Sequence, residues 1–153
     1  MSDRFVYVTY ISTTPEKLWQ ALTDAAFTRE YWWGMFLESD WKQGSRWAMK
    51  FADGRLNTTG EVLESDPPRR LVLDWHNEYN PELIGDGPSR ASFDIEQLGE
   101  MVKLTVTHEA QPKLLESVSG GWPKVLASLK SYIETGKPLP NPGNCAAARE
   151  QAA

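Results

Sequence analysis

Apolar and polar residues alternate along most of residues 35–109, and turn residues interrupt the alternation at hairpin spacing. An alternation of period two is typical of a strand with one buried face, and short turns containing glycine join antiparallel strands. Gly44, Gly54 and Gly99 stand in three of the turns, and a polar loop, 79–88, precedes the fifth segment. The pattern predicts an antiparallel meander of six strands over 35–40, 45–51, 55–65, 70–78, 89–98 and 101–109.

One further strand and two short helices are predicted ahead of the meander. Residues 5–11 are rich in β-branched and aromatic residues, which favours a strand. Thr14 followed by Pro15 predicts the cap and first residue of a helix that runs to about residue 22. Asp24 predicts the cap of a second helix that extends through Tyr31. The chain therefore opens in the order strand, helix, helix.

The alternation also assigns one face of the sheet to the interior, because residues i and i+2 of a strand lie on the same face. The residues out of phase, such as Lys50, Asp74, His76 and Asp94, are mostly polar and are expected to face solvent. The residues in phase are apolar in four strands, with one histidine at the end of the last row: Trp47, Met49 and Phe51; Leu71, Leu73 and Trp75; Ala91, Phe93 and Ile95; Val102, Leu104, Val106 and His108.

A long helix is predicted at the carboxyl end, where apolar residues recur every three or four positions from 115 to 133. Gly136 is a natural end for it, and Pro138 cannot continue it. Inside the pattern Pro123 lacks the amide that a helix needs, which predicts a kink or a break there. The preceding Gly120 and Gly121 are expected to let helix and sheet approach closely, while Trp122 fills one end of the space between them; a gate for a ligand is the alternative role.

Composition excludes several classes of function. A net charge of −5 and a pI of about 5.1 argue against a nucleic-acid partner. The single cysteine, Cys145, and two histidines allow neither a disulfide within the chain nor a Cys/His zinc cluster, so no metal and no cofactor is expected. No apolar stretch approaches the roughly 18 residues of a membrane span, and no signal sequence is visible, so we expect a cytoplasmic protein.

Four motifs resemble the homologues of the heat shock protein 90 ATPase activator, within the START and birch-pollen-allergen superfamily. They are TPEKLWQALTD at 14–24, YWWG at 31–34, SDWKQGS at 39–45, and GGWPKVLASLK at 120–130 with ETG at 134–136. The resemblance covers about residues 4–139. It implies an α+β helix-grip fold, in which a curved antiparallel sheet of about seven strands wraps around the long carboxyl-terminal helix. We therefore expect one domain over 1–139 and a tail over 140–153, in which the Ala-rich 145–153 can form a short helix.

The same resemblance implies a hydrophobic cavity between sheet and helix. Its predicted lining is Trp33, Trp47, Met49, Trp75, Phe93, His108, Trp122 and Leu126. A dry core would use the same residue types, so ligand binding and plain packing both remain open. Superfamily members include lipid carriers and polyketide cyclases or dehydratases, so the fold alone does not select a function.

Three functions follow for this chain. The first is binding of a small hydrophobic or aromatic ligand, the second a cyclase or dehydratase-like enzyme, and the third a module that interacts with a chaperone. An enzyme would need an acid or base inside the cavity, and His108 is the strongest candidate for that role. The alternative for His108 is a strand-end histidine that bonds to backbone or water. No nucleophile motif or phosphate-binding loop occurs, so no catalytic residue is assigned.

Overall fold

The structure, a computed structural model, describes residues 3–85, 87 and 89–142. Seven strands form one antiparallel sheet in the order β1-β7-β6-β5-β4-β3-β2. The elements are β1 (Asp3–Ile11), α1 (Pro15–Thr23), α2 (Ala25–Tyr31), β2 (Phe36–Glu38), β3 (Arg46–Lys50), β4 (Leu56–Asp66), β5 (Arg70–Asn77), α3 (Pro81–Ile84), β6 (Ser89–Leu98), β7 (Met101–Ala110) and α4 (Pro112–Thr135). This arrangement confirms the helix-grip prediction. The predicted helix at 145–153 lies outside the described residues.

The predicted helix ends are confirmed by their hydrogen bonds. The Thr14 hydroxyl accepts from the amide of Lys17, and an Asp24 carboxylate oxygen accepts from the amide of Ala26. Each side chain thereby satisfies an amide that has no partner inside its helix. At the end of α4, Gly136 adopts a φ of 81°, a left-handed conformation that glycine tolerates without strain.

The core lies between α4 and the concave face of the sheet. The predicted inward rows of β3, β5, β6 and β7 are all buried, and none of their side chains is more than 6% exposed. Val125, Leu126 and Leu129 of α4 are buried against them. The predicted alternation of the sheet is therefore confirmed, including the inward direction of His108.

Two local predictions differ from the structure. The loop 79–88 contains the short helix α3, because Asn80 caps the amide of Glu82 and Pro81 supplies the first helical residue. The helix α4 is continuous from Pro112 to Thr135, so of the kink or break predicted at Pro123 the break does not occur. Burial of the α4 side chains around Trp122 outweighs the one hydrogen bond that the proline removes.

The expected role of the α4 glycines is also wrong. A Cβ built on Gly120 or Gly121 meets no atom within 4 Å, so these glycines do not bring helix and sheet together. The close approach occurs instead at Gly60 in β4, where a Cβ would lie 1.8 Å from the Asp74 carbonyl oxygen. Gly60 stands opposite Trp47 of β3, so the missing side chain makes room for that indole.

Candidate functional site

Trp122 of α4 is the centre of an aromatic cluster between the helix and the sheet. Its ring centroid lies 5.7 Å from that of Trp32, 5.4 Å from that of Trp75 and 5.7 Å from that of Phe93. These are tilted or edge-on contacts, the arrangement that aromatic quadrupoles favour. Trp122 is 4% exposed. The indole is thus enclosed by aromatic rings from the sheet and from the segment after α2.

A chain of buried hydrogen bonds joins this cluster to the sheet. Nε1 of Trp122 donates to Nδ1 of His108 over 3.1 Å. Nε2 of His108 lies 2.9 Å from the Ser89 hydroxyl, which in turn donates to the Trp75 carbonyl over 2.8 Å. The indole N–H can only donate, so Nδ1 of His108 must accept and Nε2 must carry the proton. Every polar group in the chain is then satisfied.

These contacts hold His108 in its neutral form. The side chain is fully buried, and burial lowers the pKa of His108 to about 4. A second proton on Nδ1 would also oppose the indole N–H, since both groups would be donors. At neutral pH His108 therefore offers an acceptor to Trp122 and no free proton to a ligand.

Beside Trp122 the interior leaves a small apolar cavity. Its volume is about 10 Å³, about the space of one water-sized sphere. Tyr31 is part of its wall and donates its hydroxyl to the Ala21 carbonyl over 3.0 Å, while burial raises the pKa of that phenol. The remaining wall is apolar: Leu22, Trp32, Leu37, Leu71, Leu73, Phe93, Trp122, Val125 and Leu126. In this conformation the space between helix and sheet is filled by side chains.

The eight predicted lining residues all belong to the interior, but they occupy different parts of it. Phe93, Trp122 and Leu126 line the small cavity. Trp75 and His108 contact Trp122 from the sheet, and Trp47 packs on Trp75 with a centroid distance of 5.0 Å. Met49 lies in the same buried cluster.

Trp33 is set apart from this group by its position after α2. It is buried, yet its Nε1 donates to the Leu139 carbonyl over 2.8 Å, and its backbone φ is 52°. The segment that follows α4 is thereby fastened to the domain. Its neighbour Trp32 provides the contact with Trp122.

Sequence reasoning missed three residues that shape the site: Trp32, Ser89 and Gly60. Ser89 begins β6 in phase with the inward row Ala91 and Phe93, so the alternation contained a signal for an inward hydroxyl. Gly60 interrupts a strand pattern, which is itself a sign of close backbone approach. Trp32 directly follows α2, and a helix of seven residues is too short for its periodicity to predict where the next side chain points.

The surface of the sheet holds the second histidine. His76 lies on the outer face, as predicted, with a side-chain exposure of 38% and Nε2 2.6 Å from a carboxylate oxygen of Asp74. Among the described residues, no group of three or more His, Cys, Asp or Glu side chains is arranged to hold a metal ion. In the same residues, no helix has the length and apolar character needed to cross a membrane.

Comparison with known proteins finds the same fold in solved structures. Solved structures with the same fold include CalU16 from Micromonospora echinospora, with 21% identity over 88% of this chain and 78% of that chain (TM-score 0.72). MLL2253 from Mesorhizobium loti has 24% identity over 86% and 97% of the chains (TM-score 0.73). PFC0360w, an HSP90 activator from Plasmodium falciparum, has 24% identity over 88% and 97% (TM-score 0.70).

At these identities the solved structures establish the fold alone. No curated protein matches the chain. Residues 12–134, however, match the family model described as activator of Hsp90 ATPase homolog 1-like protein. The match includes every element from α1 to β7 and nearly all of α4. The chain therefore belongs to the family of activator of Hsp90 ATPase homolog 1-like proteins.

Proposed function

We propose that the protein binds a small aromatic molecule between α4 and the sheet, in the space that the Trp122 side chain fills when no ligand is bound. The observation that carries this proposal is the hydrogen bond from Trp122 Nε1 to the buried Nδ1 of His108. When the indole moves aside, it leaves an apolar space that contains one hydrogen-bond acceptor. A few polar groups in an apolar pocket are the usual design of a small-molecule site.

Local weakness of α4 at this point supports the proposal. Gly120 and Gly121 precede Trp122, and each costs a helix about 0.5–1 kcal/mol relative to alanine. Pro123 follows and removes the hydrogen bond to the carbonyl of Ser119. The helical backbone of this segment opens more easily than that of its neighbours, because one helix hydrogen bond is absent and two glycines disfavour the helix. Opening there would move Trp122 and enlarge the 10 Å³ cavity.

The chemistry of the vacated space defines the ligand class. The walls contributed by Trp32, Trp75 and Phe93 favour a flat ring that stacks or meets them edge-on. His108 accepts a hydrogen bond at Nδ1, so the ligand should carry a hydroxyl or N–H donor in the place of the indole N–H. A ligand carboxylate would bind less tightly, because its oxygens would face the Nδ1 acceptor of His108 with no hydrogen-bond donor. A neutral phenol or heterocycle fits these demands.

The cyclase or dehydratase alternative receives less support from the site. Both ring nitrogens of His108 are engaged, and burial holds its pKa at about 4, so near neutral pH its single ring proton is directed at Ser89 and none is free for a substrate. Only after Trp122 moves would Nδ1 become available as a base.

Binding of matched naphthalene derivatives tests the proposal. We expect 2-naphthol to raise the melting temperature and quench tryptophan fluorescence, with weaker effects from naphthalene and from 2-naphthoate. Removing the acceptor in His108→Phe should abolish the preference for naphthol over naphthalene, an effect of about five- to a hundredfold. Trp33→Phe, which alters a tryptophan outside the cavity wall, is the control and should bind like the parent. Equal, negligible binding of all three compounds would contradict the proposal.

Family membership favours a second candidate, interaction with a chaperone of the Hsp90 class. One structural relative, PFC0360w, is named an HSP90 activator. The test is the ATPase rate of an Hsp90 measured with and without this protein. Stimulation that survives in Trp122→Phe would separate this function from ligand binding in the interior.

A further inference from the structure

Residues 137–142 follow α4 and form a strap that is bonded to two other parts of the fold. The Leu139 amide donates to the Ser128 hydroxyl of α4 over 3.2 Å. The Leu139 carbonyl accepts from Nε1 of Trp33 over 2.8 Å. Trp33 belongs to the corner, residues 32–35, that connects α2 to β2. One residue of the strap therefore joins the long helix to the corner.

The sequence of the strap restricts its backbone before these bonds form. Pro138 has a fixed φ, and Pro140 limits the conformations of Leu139 before it. At the start of the strap, the Lys137 carbonyl accepts from the Ser131 hydroxyl of α4 over 2.7 Å. A segment held in this way loses little conformational entropy when it binds the corner.

The corner connects the strap to the wall of the interior. Trp33 has a φ of 52°, a left-handed conformation that a bulky side chain adopts only when surrounding contacts hold it. The preceding residue, Trp32, lines the small cavity and meets the ring of Trp122 edge-on at a centroid distance of 5.7 Å. The bond between Trp33 and the strap thus helps to hold Trp32 in place.

The other end of the bridge lies on the side of α4 that faces α2. Tyr132 packs edge-on against Phe27 of α2, with a centroid distance of 6.0 Å. Ser128 lies one turn before Tyr132, and residues four apart share a face of a helix. The strap therefore crosses the seam at which α4 meets α2 and the corner.

We infer that the strap is a latch that keeps this seam closed and sets the rate at which a ligand enters and leaves the interior. Separation of the corner from α4 breaks the bond of Leu139 to Trp33 or its bond to Ser128. Neither Trp33 nor Ser128 lines the small cavity, so both bonds can form in the free protein and in the complex. A contact that stabilises both states equally slows entry and exit and leaves the affinity unchanged.

Because ligand passage across the seam rests on the proposed function, the first measurement uses no ligand. The indole proton of Trp122 is buried against His108, so its exchange in heavy water, followed by NMR, reports opening of the interior. Trp33→Phe and Ser128→Ala each remove one bond of the strap. We expect exchange to be about three- to tenfold faster in each variant, as the loss of one hydrogen bond predicts.

Trp41→Phe is the matched control. Trp41 also has a positive φ, 60°, and its Nε1 donates to the Thr23 carbonyl over 2.7 Å. That bond involves neither the strap nor the corner. The control should lower the melting temperature as Trp33→Phe does, but without faster exchange of the Trp122 indole. If exchange in the two strap variants is no faster than in Trp41→Phe, or if only one of them accelerates it, the inference is overturned.

Stopped-flow fluorescence with 2-naphthol then measures passage itself. Association and dissociation should both be faster in Trp33→Phe and Ser128→Ala, by the same factor, with an unchanged Kd. Binding of 2-naphthol at wild-type rates in these variants would show that the strap does not control entry. If 2-naphthol binds to none of the proteins, the proposed function fails, and the exchange rates alone decide whether the strap holds the seam closed.

Discussion

Trp122 of α4 and His108 of β7 are joined by a hydrogen bond of 3.1 Å in which the indole donates and the imidazole accepts. The bond ties the covering helix to the last strand within the buried interior. It also fixes the tautomer of His108, whose other nitrogen meets Ser89. The stability of the fold and the protonation of His108 therefore both depend on this pair.

Acid should destabilise the fold through His108. Its pKa is about 4 in the folded protein, against about 6.5 in an unfolded chain. Between these values the unfolded chain binds a proton that the folded protein does not, so the contribution is complete above about pH 6.5 and is lost as the pH falls towards 4. The loss is on the order of 3 kcal/mol. Urea unfolding at a series of pH values from 7 to 4 measures it.

His108→Gln separates this effect from the titration of carboxylates. A glutamine can accept from Trp122 and donate to Ser89, yet it does not titrate. Acid also raises the protonation of Glu134, whose pKa Lys130 lowers, but that contribution is common to both proteins. We expect a shallower decline of the unfolding free energy in the variant. Identical pH profiles would show that His108 is not held neutral by the fold.

Two substitutions of Trp122 should separate the polar part of its contribution to the free energy of unfolding from the apolar part. Trp122→Phe keeps a ring among Trp32, Trp75 and Phe93 but leaves Nδ1 of His108 without its donor, which costs about 1–3 kcal/mol. Trp122→Ala removes the ring as well and should cost about 3–5 kcal/mol. Chemical denaturation measures both. An alanine variant as stable as the parent would contradict the anchoring role.

A double-mutant cycle isolates the hydrogen bond itself. Trp122→Phe and His108→Phe are combined, and the coupling free energy should be about 0.5 kcal/mol or more. Additive effects would mean that the indole and the imidazole do not interact.

Gly60→Ala should be strongly destabilising although it adds one methyl group. The new Cβ would lie 1.8 Å from the Asp74 carbonyl oxygen and 2.7 Å from Nε1 of Trp47. Trp47 donates to that same carbonyl over 2.8 Å, so the strand pair and the indole must both shift. We expect a loss of about 1–3 kcal/mol or more from overpacking and a disturbed hydrogen bond. A melting temperature equal to that of the wild type would argue against this close approach.

The sheet could be predicted from the sequence because alternation is a local property. Once Trp75 and Phe93 were assigned to the interior, a slip of one residue would have exposed them, so the inward rows had only one consistent phase. Thr14 and Asp24 act within a few residues, and their caps were likewise predictable. The family motifs near both ends of the chain also predicted that the long helix packs against one face of the sheet.

The arrangement of the site could not be predicted in the same way. Trp122 meets His108 only after α4 has docked on the sheet, and no local pattern specifies that contact. The positive φ of Trp33 separates its direction from that of Trp32, which the sequence of α2 does not reveal. Whether aromatic side chains leave a pocket depends on differences of a few Å³ in packing, whereas composition reports only that large rings are present.

Alanine at the α4 glycines should stabilise the fold and slow access to its interior. A Cβ at Gly120 or Gly121 meets no atom within 4 Å, so alanine adds helix propensity without a clash. Each change should add about 0.5–1 kcal/mol to the free energy of unfolding. Hydrogen exchange of the amides near Trp122 should slow in the double variant, because opening of this segment becomes less favourable. If opening admits the ligand, association of 2-naphthol should slow as well. The combination of slower exchange with an unchanged association rate would place the route to the interior elsewhere than at this turn of α4.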